Sequence, residues 1–253
     1  MELAGIAAIV TGGASGLGAA TAAALATAGA AVAVLDRNLA LVEQVAAAIG
    51  GRAFGCDVAD AGSAEAAVAL AAAAHGVARV LVCCAGIGTA GRIVGRDGAM
   101  PLEAFERVIR VNLVGTFNMM RIAAQAMSTL EPLADGERGV IVGTASVAAY
   151  DGQIGQAAYA ASKAGVVGLT LPAAREFARF GVRVMTVAPG LFETPMMKGL
   201  PAEVQQALGA SVPFPQRLGM PAEYAALVLH IVGNRMLNGE TIRLDGALRM
   251  APK

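Results

Sequence analysis

Short runs of apolar residues recur along the chain, and each is followed by a longer stretch of helical character. Most runs are rich in Val and Ile and show little polar alternation, which is typical of strands buried on both faces of a parallel sheet. The predicted strands are Ala7–Val10, Ala31–Leu35, Ala53–Cys56, Val80–Cys84, Val140–Val142, Val182–Val187 and Ile242–Leu244. The predicted helices are Ser15–Ala28, Leu39–Ile49, Ser63–Ala74, Leu102–Leu130, Ala157–Phe180 and Ala222–Val232.

This alternation predicts an α/β fold, with a single doubly wound parallel sheet of the Rossmann type and helices on both faces. No linker, charge block or repeat divides the sequence, so residues 1–253 are predicted to form one domain. Right-handed crossovers place the loops at the carboxyl ends of the strands, where such folds bind their ligands. Candidate chemistry is therefore expected in the segments that follow each strand.

Composition narrows the class of protein. The chain is 56% hydrophobic, and its 19 basic residues balance 19 acidic ones. That balance gives no electrostatic field for nucleic acid or an anionic membrane surface, so neither is an expected partner. Three cysteines without a spaced pattern, and no His, Asp and Glu at ligand spacing, predict no disulfide framework and no metal. A reduced, cytoplasmic protein is expected.

One uncharged stretch, from Ile6 to Leu35, is long enough to span a bilayer. Glycines interrupt it, and most of its apolar content is alanine, which drives membrane insertion only weakly. The chain also begins Met-Glu-Leu rather than with the positive region of a secretory signal. Neither a signal peptide nor a membrane span is predicted.

A glycine-rich segment follows the first predicted strand. Residues 11–18 read Thr-Gly-Gly-Ala-Ser-Gly-Leu-Gly, a Gly-x3-Gly-x-Gly spacing. A turn without side chains lets the backbone approach a pyrophosphate, and the helix that starts near Ser15 directs its positive end toward it. A generic glycine-rich turn is the alternative for this segment alone. The residues predicted to contact a dinucleotide here are Gly12, Ser15, Gly16, Leu17 and Gly18.

Two carboxylates favour a nucleotide site. Asp36 ends the second strand, where it can accept a hydrogen bond from a ribose 2′-hydroxyl. Asp57 and Val58 follow the third strand, where an acidic side chain can meet an adenine amino group. A carboxylate at Asp36 repels a 2′-phosphate, so NAD is predicted over NADP, although Arg37 could pair with such a phosphate.

Candidate catalytic residues follow the fifth strand. Ser146 comes directly after it, and a predicted helix carries Tyr159 and Lys163 at i and i+4, on one helix face. An unperturbed tyrosine titrates at about pH 10, and a nearby ammonium group and an oxidised nicotinamide would lower that pKa. Ser146 could hold the substrate oxygen while Tyr159 moves its proton, and Asn112 could hold a water that links Lys163 to solvent. An ordinary helix face is the alternative for the Tyr–Lys pair alone.

Taken together and in this order, the motifs resemble the short-chain dehydrogenase/reductase family over the whole chain. The matching positions are residues 11–18, Asp57, Ala85, Gly86, Asn112, Ser146, Tyr159, Lys163, Pro189 and Gly190. The resemblance implies NAD(P)-dependent hydride transfer by an Asn–Ser–Tyr–Lys tetrad. It also implies that Ala85 and Gly86 lie beside the adenine ribose, that Pro189 and Gly190 lie beside the nicotinamide, and that Thr194 binds its carboxamide. Cys83 and Cys84 depart from the Asn-Asn or Asn-Cys that the family usually has; buried packing on opposite strand faces is expected for them.

Within this family the chain resembles the type II 3-hydroxyacyl-CoA dehydrogenases, also known as 17β-hydroxysteroid dehydrogenases type 10. Residues 139–150, 155–159, 188–195, 212–215 and 238–247 carry that likeness, together with a longer loop over residues 91–101. It implies NAD as cofactor, a small-molecule acyl-CoA substrate interconverted between 3-hydroxy and 3-oxo forms, and a homotetramer. The residues expected around the substrate are Ser146, Gln153, Gln156, Leu191 and Phe192.

Three alternatives stay open at this point. One is a hydroxysteroid or other secondary-alcohol dehydrogenase with the same tetrad. Another is a 3-oxoacyl-carrier-protein reductase, which usually prefers NADPH, so that Asp36 argues against it. The third, from a different class, is a non-catalytic nucleotide-binding scaffold subunit, and the complete tetrad argues against that.

Overall fold

The computed structural model describes residues 1–96 and 98–252, and its strands lie close to the predicted apolar runs. Seven strands belong to one sheet: β1 Ala7–Thr11, β2 Ala31–Asp36, β3 Arg52–Gly55, β4 Val80–Cys83, β7 Gly139–Thr144, β8 Val182–Pro189 and β9 Thr241–Leu244. Two more form a small antiparallel pair: β5 Val94–Gly95 and β6 Gly98–Ala99. The main sheet has the order β3-β2-β1-β4-β7-β8-β9, and all its pairs are parallel.

Helices cover both faces of the sheet. In chain order the α-helices are α1 Gly16–Thr27, α2 Leu39–Ile49, α3 Ala61–His75, α4 Leu102–Ile109, α5 Gly115–Ser128, α6 Ala157–Phe177, α7 Pro195–Lys198, α8 Ala202–Ala210 and α9 Pro221–Gly233. Helices α3, α5 and α6 contribute to the core on one face, and α1, α2 and α9 to the core on the other.

Each face of the sheet has its own hydrophobic core, because alternate side chains of a strand point to opposite sides. On one face Leu81 and Ile141 pack with Met119 of α5. On the other face Val10 packs with Leu25 of α1. All five side chains are almost completely buried, as a parallel sheet between two helical layers requires. The predicted doubly wound α/β fold is confirmed.

Local chemistry sets the ends of the two helices that follow β2 and β3. Helix α2 begins after Asn38, whose side-chain oxygen accepts a hydrogen bond from the Leu41 N–H at 3.2 Å. Helix α3 begins after Asp60, whose carboxylate accepts one from the Ser63 N–H at 2.7 Å. Such N-caps satisfy donors that the helix itself leaves unpaired. The short connections before these helices therefore have a defined shape at the carboxyl edge of the sheet.

The helix predicted over Leu102–Leu130 is wrong in one respect. Its path is interrupted by a π-helical turn at Arg110–Val114, so that α4 and α5 are separate α-helical pieces. Apolar spacing predicts helix through this segment but does not report a change in helical pitch. Turns of this kind are frequent at functional sites, and Asn112 lies in the middle of this one.

Four short elements were not predicted: β5, β6, α7 and α8. Each of the two strands has only two residues, which are exposed, and α7 has only four residues. These three elements are too short to show a hydrophobic pattern. The bounds of α2 are those predicted, and the bounds of the other elements differ from the predicted ones by at most three residues, as helix and strand ends commonly do.

Two features of other protein classes are absent from residues 1–96 and 98–252. None of the helices there is long and apolar enough to cross a bilayer. The same residues hold no group of three or more His, Cys, Asp and Glu side chains placed to bind a metal ion. Cys56, Cys83 and Cys84 are free thiols.

Candidate active site

A cavity of about 740 Å³ lies at the carboxyl edge of the sheet, beside the ends of β1, β2, β4, β7 and β8. Because β2 and β4 pair with opposite sides of β1, the loops after β1 and β4 diverge and leave a crevice between them. The cavity brings together most of the predicted site residues: Gly12, Ser15, Gly16, Leu17, Gly18, Asp36, Asp57, Val58, Ala85, Gly86, Ser146, Gln156, Tyr159, Lys163, Pro189, Gly190, Leu191, Phe192 and Thr194.

The glycine-rich segment at one end of the cavity has a shape that side chains would destroy. Gly12 has a left-handed φ of 64°, and a Cβ added there would lie 2.6 Å from the backbone nitrogen of Ala85. A Cβ on Gly18 would collide with the carbonyl oxygen of Gly12. The side chain of Ser15, the N-cap of α1, makes no hydrogen bond to the helix. Bare backbone and the first turn of α1 therefore face the cavity, which fits the pyrophosphate of a dinucleotide.

Asp36 is held in place at the end of β2. One carboxylate oxygen accepts a hydrogen bond from the Ala14 N–H at 3.2 Å, and the other accepts one from the Asn38 N–H at 3.0 Å. Next to it, Arg37 is exposed, and its Nε lies 3.6 Å from a carboxylate oxygen of Asp57. This arrangement presents acidic groups at the position expected for the adenosine part of a dinucleotide.

Ser146 and Tyr159 face each other at the opposite end of the cavity. Ser146 caps a short 3₁₀ turn, and its Oγ accepts a hydrogen bond from the Ala148 N–H at 3.1 Å, which leaves the hydroxyl hydrogen free to donate. Burial raises the pKa of Tyr159, and the hydrogen bond from Ser146 partly counteracts that rise. The pair can therefore bind one oxygen atom, with Ser146 donating and Tyr159 able to give up or take a proton.

Lys163 is buried behind Tyr159. Its Nζ donates a hydrogen bond to the carbonyl oxygen of Thr144 at 2.7 Å and lies 5.7 Å from the centre of the Tyr159 ring. Burial lowers the pKa of Lys163 from 10.5 to about 8. Among the protein's own groups desolvation has the larger effect on the pKa of Tyr159, and the lowering of that pKa by an oxidised nicotinamide stays a prediction.

Asn112 does not line the cavity but is fully buried behind it. Its Nδ2 donates to the carbonyl of Ile87 at 2.9 Å and to the Ser162 Oγ at 3.0 Å, and its Oδ1 accepts from the Ile87 N–H at 2.8 Å. The Ser162 hydroxyl in turn donates to the Tyr159 carbonyl at 2.7 Å. Asn112 thus ties the loop after β4 to the helix that carries Tyr159. Its predicted water link to Lys163 stays a prediction.

A model of the family described as short chain dehydrogenase matches residues 6–205 of this chain. The chain belongs to the short-chain dehydrogenase family. It is therefore an oxidoreductase.

Named relatives are similar to this dehydrogenase over almost its whole length. The chain is 52% identical to the 3-hydroxyacyl-CoA dehydrogenase type-2 of Bos taurus, covering 98% of this chain and 97% of the relative. It is 50% identical to the protein of the same name from Homo sapiens, with the same coverage. The crystal structure of 3-hydroxyacyl-CoA dehydrogenase type-2 from Mycobacterium avium superposes with a TM-score of 0.94 at 43% identity, covering 98% of both chains.

Of the residues expected around the substrate of this dehydrogenase, Gln153 is the one that does not line the cavity. Its Nε2 donates to the Ala251 carbonyl at 2.9 Å, and its backbone N–H donates to the Gln156 Oε1 at 3.1 Å. Gln153 therefore supports Gln156, which does line the cavity. Phe192 also lines the cavity and is almost fully buried.

Several lining residues of the dehydrogenase were not expected at the cavity from the sequence. Thr144 contributes through its main chain, which leaves no trace in the residue type. Cys84 lines the cavity beside the Thr144 and Tyr224 hydroxyls, whereas Cys83 packs in the core on the other face. Met250 comes from an irregular segment near residue 252 that has no motif.

Replacing Lys163 by Met is expected to stabilise the protein without cofactor at pH 7 while removing activity. A pKa lowered from 10.5 to about 8 means that the buried ammonium group costs roughly 3 kcal/mol of stability. In the variant the Thr144 carbonyl loses its hydrogen bond, which destabilises the fold by about 1 kcal/mol. The net change is stabilising, so the melting temperature should rise by a few degrees. The measurement is thermal unfolding followed by circular dichroism.

The control is the pH dependence of the difference in unfolding free energy between Lys163→Met and the wild type. Between pH 8 and 10.5 the unfolded wild-type chain keeps a proton on Lys163 that the folded protein has lost, so the free energy of unfolding rises with pH. The advantage of Lys163→Met should therefore shrink across that interval. A variant less stable than wild type at pH 7 would contradict a buried, charged Lys163.

Proposed function

We propose that this protein is an NAD-dependent 3-hydroxyacyl-CoA dehydrogenase, which interconverts 3-hydroxyacyl-CoA and 3-oxoacyl-CoA. The observation that carries the proposal is one cavity with a bare glycine loop at one end and Ser146, Tyr159 and Lys163 at the other. The substrate class is supported by identity of 52% over nearly the whole chain to a relative of that name.

The residues of the cavity fit a nicotinamide dinucleotide. The glycine loop, whose fold has no room for a Cβ on Gly12 or Gly18, presents bare backbone to the pyrophosphate, and Asp36 accepts a hydrogen bond from the adenosine ribose. Pro189 and Gly190, where β8 ends beside β7, line the cavity together with Thr194, and these residues hold the nicotinamide end. When bound, the nicotinamide supplies the hydride that the reaction transfers.

The chain's own groups act on the oxygen of the substrate. Ser146 donates a hydrogen bond to the 3-oxo oxygen, because its own Oγ is already fixed by the Ala148 N–H. Tyr159 gives its phenolic proton to that oxygen when the ketone is reduced and takes it back when the alcohol is oxidised. The Lys163 ammonium group, anchored on Thr144, favours the phenolate that results. Asn112 keeps the Tyr159 backbone in position through Ser162.

The test of this function is NADH oxidation by the purified protein with acetoacetyl-CoA, run beside NADPH. Fast turnover with NADH and slow turnover with NADPH support both the thioester substrate and NAD. Bound NADH without turnover would contradict the thioester assignment and favour steroid or other secondary alcohols. If those also fail, a non-catalytic role would be favoured.

Replacing Asp36 by Ser is expected to lower the NADH/NADPH ratio of kcat/KM by roughly tenfold or more. The carboxylate is held at the cavity wall by Ala14 and Asn38, so a 2′-phosphate would meet a fixed like charge, which costs several kcal/mol. Removing that charge leaves the exposed Arg37 next to the phosphate. Steady-state kinetics with both cofactors measure the ratio.

The matched control for that variant is Asp60→Ser. Asp60 caps α3 and does not line the cavity, and Ser is also a good N-cap, so the cofactor ratio should stay at the wild-type value. An unchanged ratio in Asp36→Ser would show that Asp36 does not select the cofactor.

The functional unit is proposed to be a homotetramer. Large apolar side chains are exposed on the helical surface, including Val114 at the end of the π-helical turn, Phe117 on α5 and Leu171 on α6. Exposed apolar side chains on neighbouring helices are typical of subunit interfaces. Sedimentation velocity should give a mass of four chains, and Phe117→Lys should reduce it; a monomer in the wild type would contradict the proposal.

A further inference from the structure

An irregular segment, residues 245–252, lies against the loop that leads into the catalytic helix. We call it the tail segment. Its Ala251 carbonyl accepts a hydrogen bond from Gln153 Nε2 at 2.9 Å, and its Pro252 carbonyl accepts one from the Ile154 N–H at 3.0 Å. Two consecutive residues of the tail segment are thus joined to two consecutive residues of the loop.

An ion-paired arginine fastens the other end of the tail segment. Arg243, at the end of β9, contacts Asp151 through Nη2 at 2.6 Å and Asp245 through Nε at 2.7 Å. Its Nη2 also donates to the Leu248 carbonyl at 2.9 Å. The side chains of Arg243 and Asp151 are only about one-fifth exposed, so water screens this pair less than a surface pair. The tail segment is therefore held on both sides of Met250.

Met250 is the residue of the tail segment that lines the cavity. Its neighbour Ala251 binds Gln153, Gln153 binds Gln156, and Gln156 lines the cavity three residues before Tyr159. This chain of contacts places Met250 at the end of the cavity where the substrate reacts, away from Asp36 and the adenosine end. An unbranched thioether side chain offers mainly apolar contact there.

We propose that Met250, held by the tail segment, is a specificity-determining residue that limits the room for the acyl chain of the substrate. The inference rests on the proposed function, because it assigns the acyl part of that substrate to this wall. Asp151 and Arg243 are positioning residues, which act on the substrate only through the tail segment.

The test is the preference for chain length in two variants of opposite size. The measured quantity is kcat/KM for 3-oxooctanoyl-CoA divided by that for acetoacetyl-CoA. Met250→Ala should raise this ratio roughly tenfold and Met250→Phe should lower it, because a change of a few methylene groups in an apolar pocket has effects of that size. NADH affinity, measured by fluorescence titration, should stay at the wild-type value in both.

The matched control is Met236→Ala, since Met236 is 93% exposed and does not line the cavity. Its ratio should equal that of the wild type. Asp151→Asn should raise KM for both substrates and weaken the length preference, with kcat and NADH affinity nearly unchanged. Equal ratios in wild type, Met250→Ala and Met250→Phe would overturn the inference.

Failure of the proposed function gives a different result. If the wild-type protein binds NADH but reduces neither thioester, the proposed function is wrong, and the ratio is measured with short and long aliphatic secondary alcohols and NAD. An unchanged ratio across the Met250 variants in that series would overturn the inference as well, whereas opposite shifts would keep Met250 as a wall for the alkyl chain.

Discussion

Tyr159→Phe should lower kcat for ketone reduction by roughly 100- to 10,000-fold, the usual contribution of a positioned general acid. The change removes one oxygen atom and keeps the ring that packs in the cavity wall. No other tyrosine of residues 1–96 and 98–252 lines the cavity, so no second phenol there can replace the lost proton donor. The other acid in reach, Lys163, donates its hydrogen bond to the Thr144 carbonyl. Stopped-flow measurement of NADH oxidation with acetoacetyl-CoA gives the rate directly.

The matched control removes a hydroxyl from a neighbouring tyrosine. Tyr150 is half exposed and does not line the cavity, so Tyr150→Phe should keep kcat within about twofold of wild type. NADH affinity should be unchanged in both variants, which separates loss of the proton donor from loss of the fold. If Tyr159→Phe kept more than about one-tenth of the wild-type kcat, another group would have to supply the proton.

The fold could be predicted because its strongest signals are local. A buried parallel strand such as Val80–Cys83 has to be apolar on both faces, so it appears in the sequence as an uninterrupted run. The order of strands and helices then leaves few right-handed arrangements. The π-helical turn around Asn112 was missed, because the same apolar spacing is compatible with either helical pitch over five residues.

The candidate site could be predicted in part for a related reason. Its residues follow strands whose carboxyl ends meet at one edge, so the Gly12 loop, Asp36 and Ser146 had to lie near each other once the sheet was assumed. The roles of Tyr159 and Lys163 were predicted from their spacing on one helix face, and the family resemblance implied the same roles. Their environment could not be predicted, because the partner of Lys163 is a main-chain carbonyl and the pKa of Tyr159 depends on burial in the finished fold.

Met250 shows where sequence patterns stop being informative. Two contacts of its neighbours hold it at the cavity. One is the hydrogen bond between Gln153 and Ala251, which are 98 residues apart, and the other is the ion pairing of an arginine on the edge strand β9. Neither contact leaves a periodic pattern or a motif near Met250 itself. A lining residue such as Met250, which lies in an irregular segment and outside every motif, can therefore be found only from the structure.

Gly12→Ala is expected to weaken NADH binding by roughly 100- to 10,000-fold. Alanine at a φ of 64° is strained by about 1 kcal/mol, and its Cβ would lie 2.6 Å from the Ala85 nitrogen, whose N–H donates a hydrogen bond to the Thr11 hydroxyl. The loop must shift, and hydrogen bonds from its backbone to the pyrophosphate are lost. Two such bonds to a charged group are worth roughly 3–6 kcal/mol, which gives the expected range.

Isothermal titration calorimetry with NADH measures that loss, with Gly233→Ala as the matched control. Gly233 ends α9, has no atom within 4 Å of an added Cβ and has no positive φ, so its variant should bind NADH as the wild type does. Strain at Gly12 and the clash with the Ala85 backbone together destabilise the cofactor-free protein by roughly 2–5 kcal/mol, so its circular dichroism is recorded at the titration temperature to show that it stays folded. Lost binding in a variant that is still folded would place the function of Gly12 at the pyrophosphate, whereas unchanged binding would mean that the loop does not hold the cofactor.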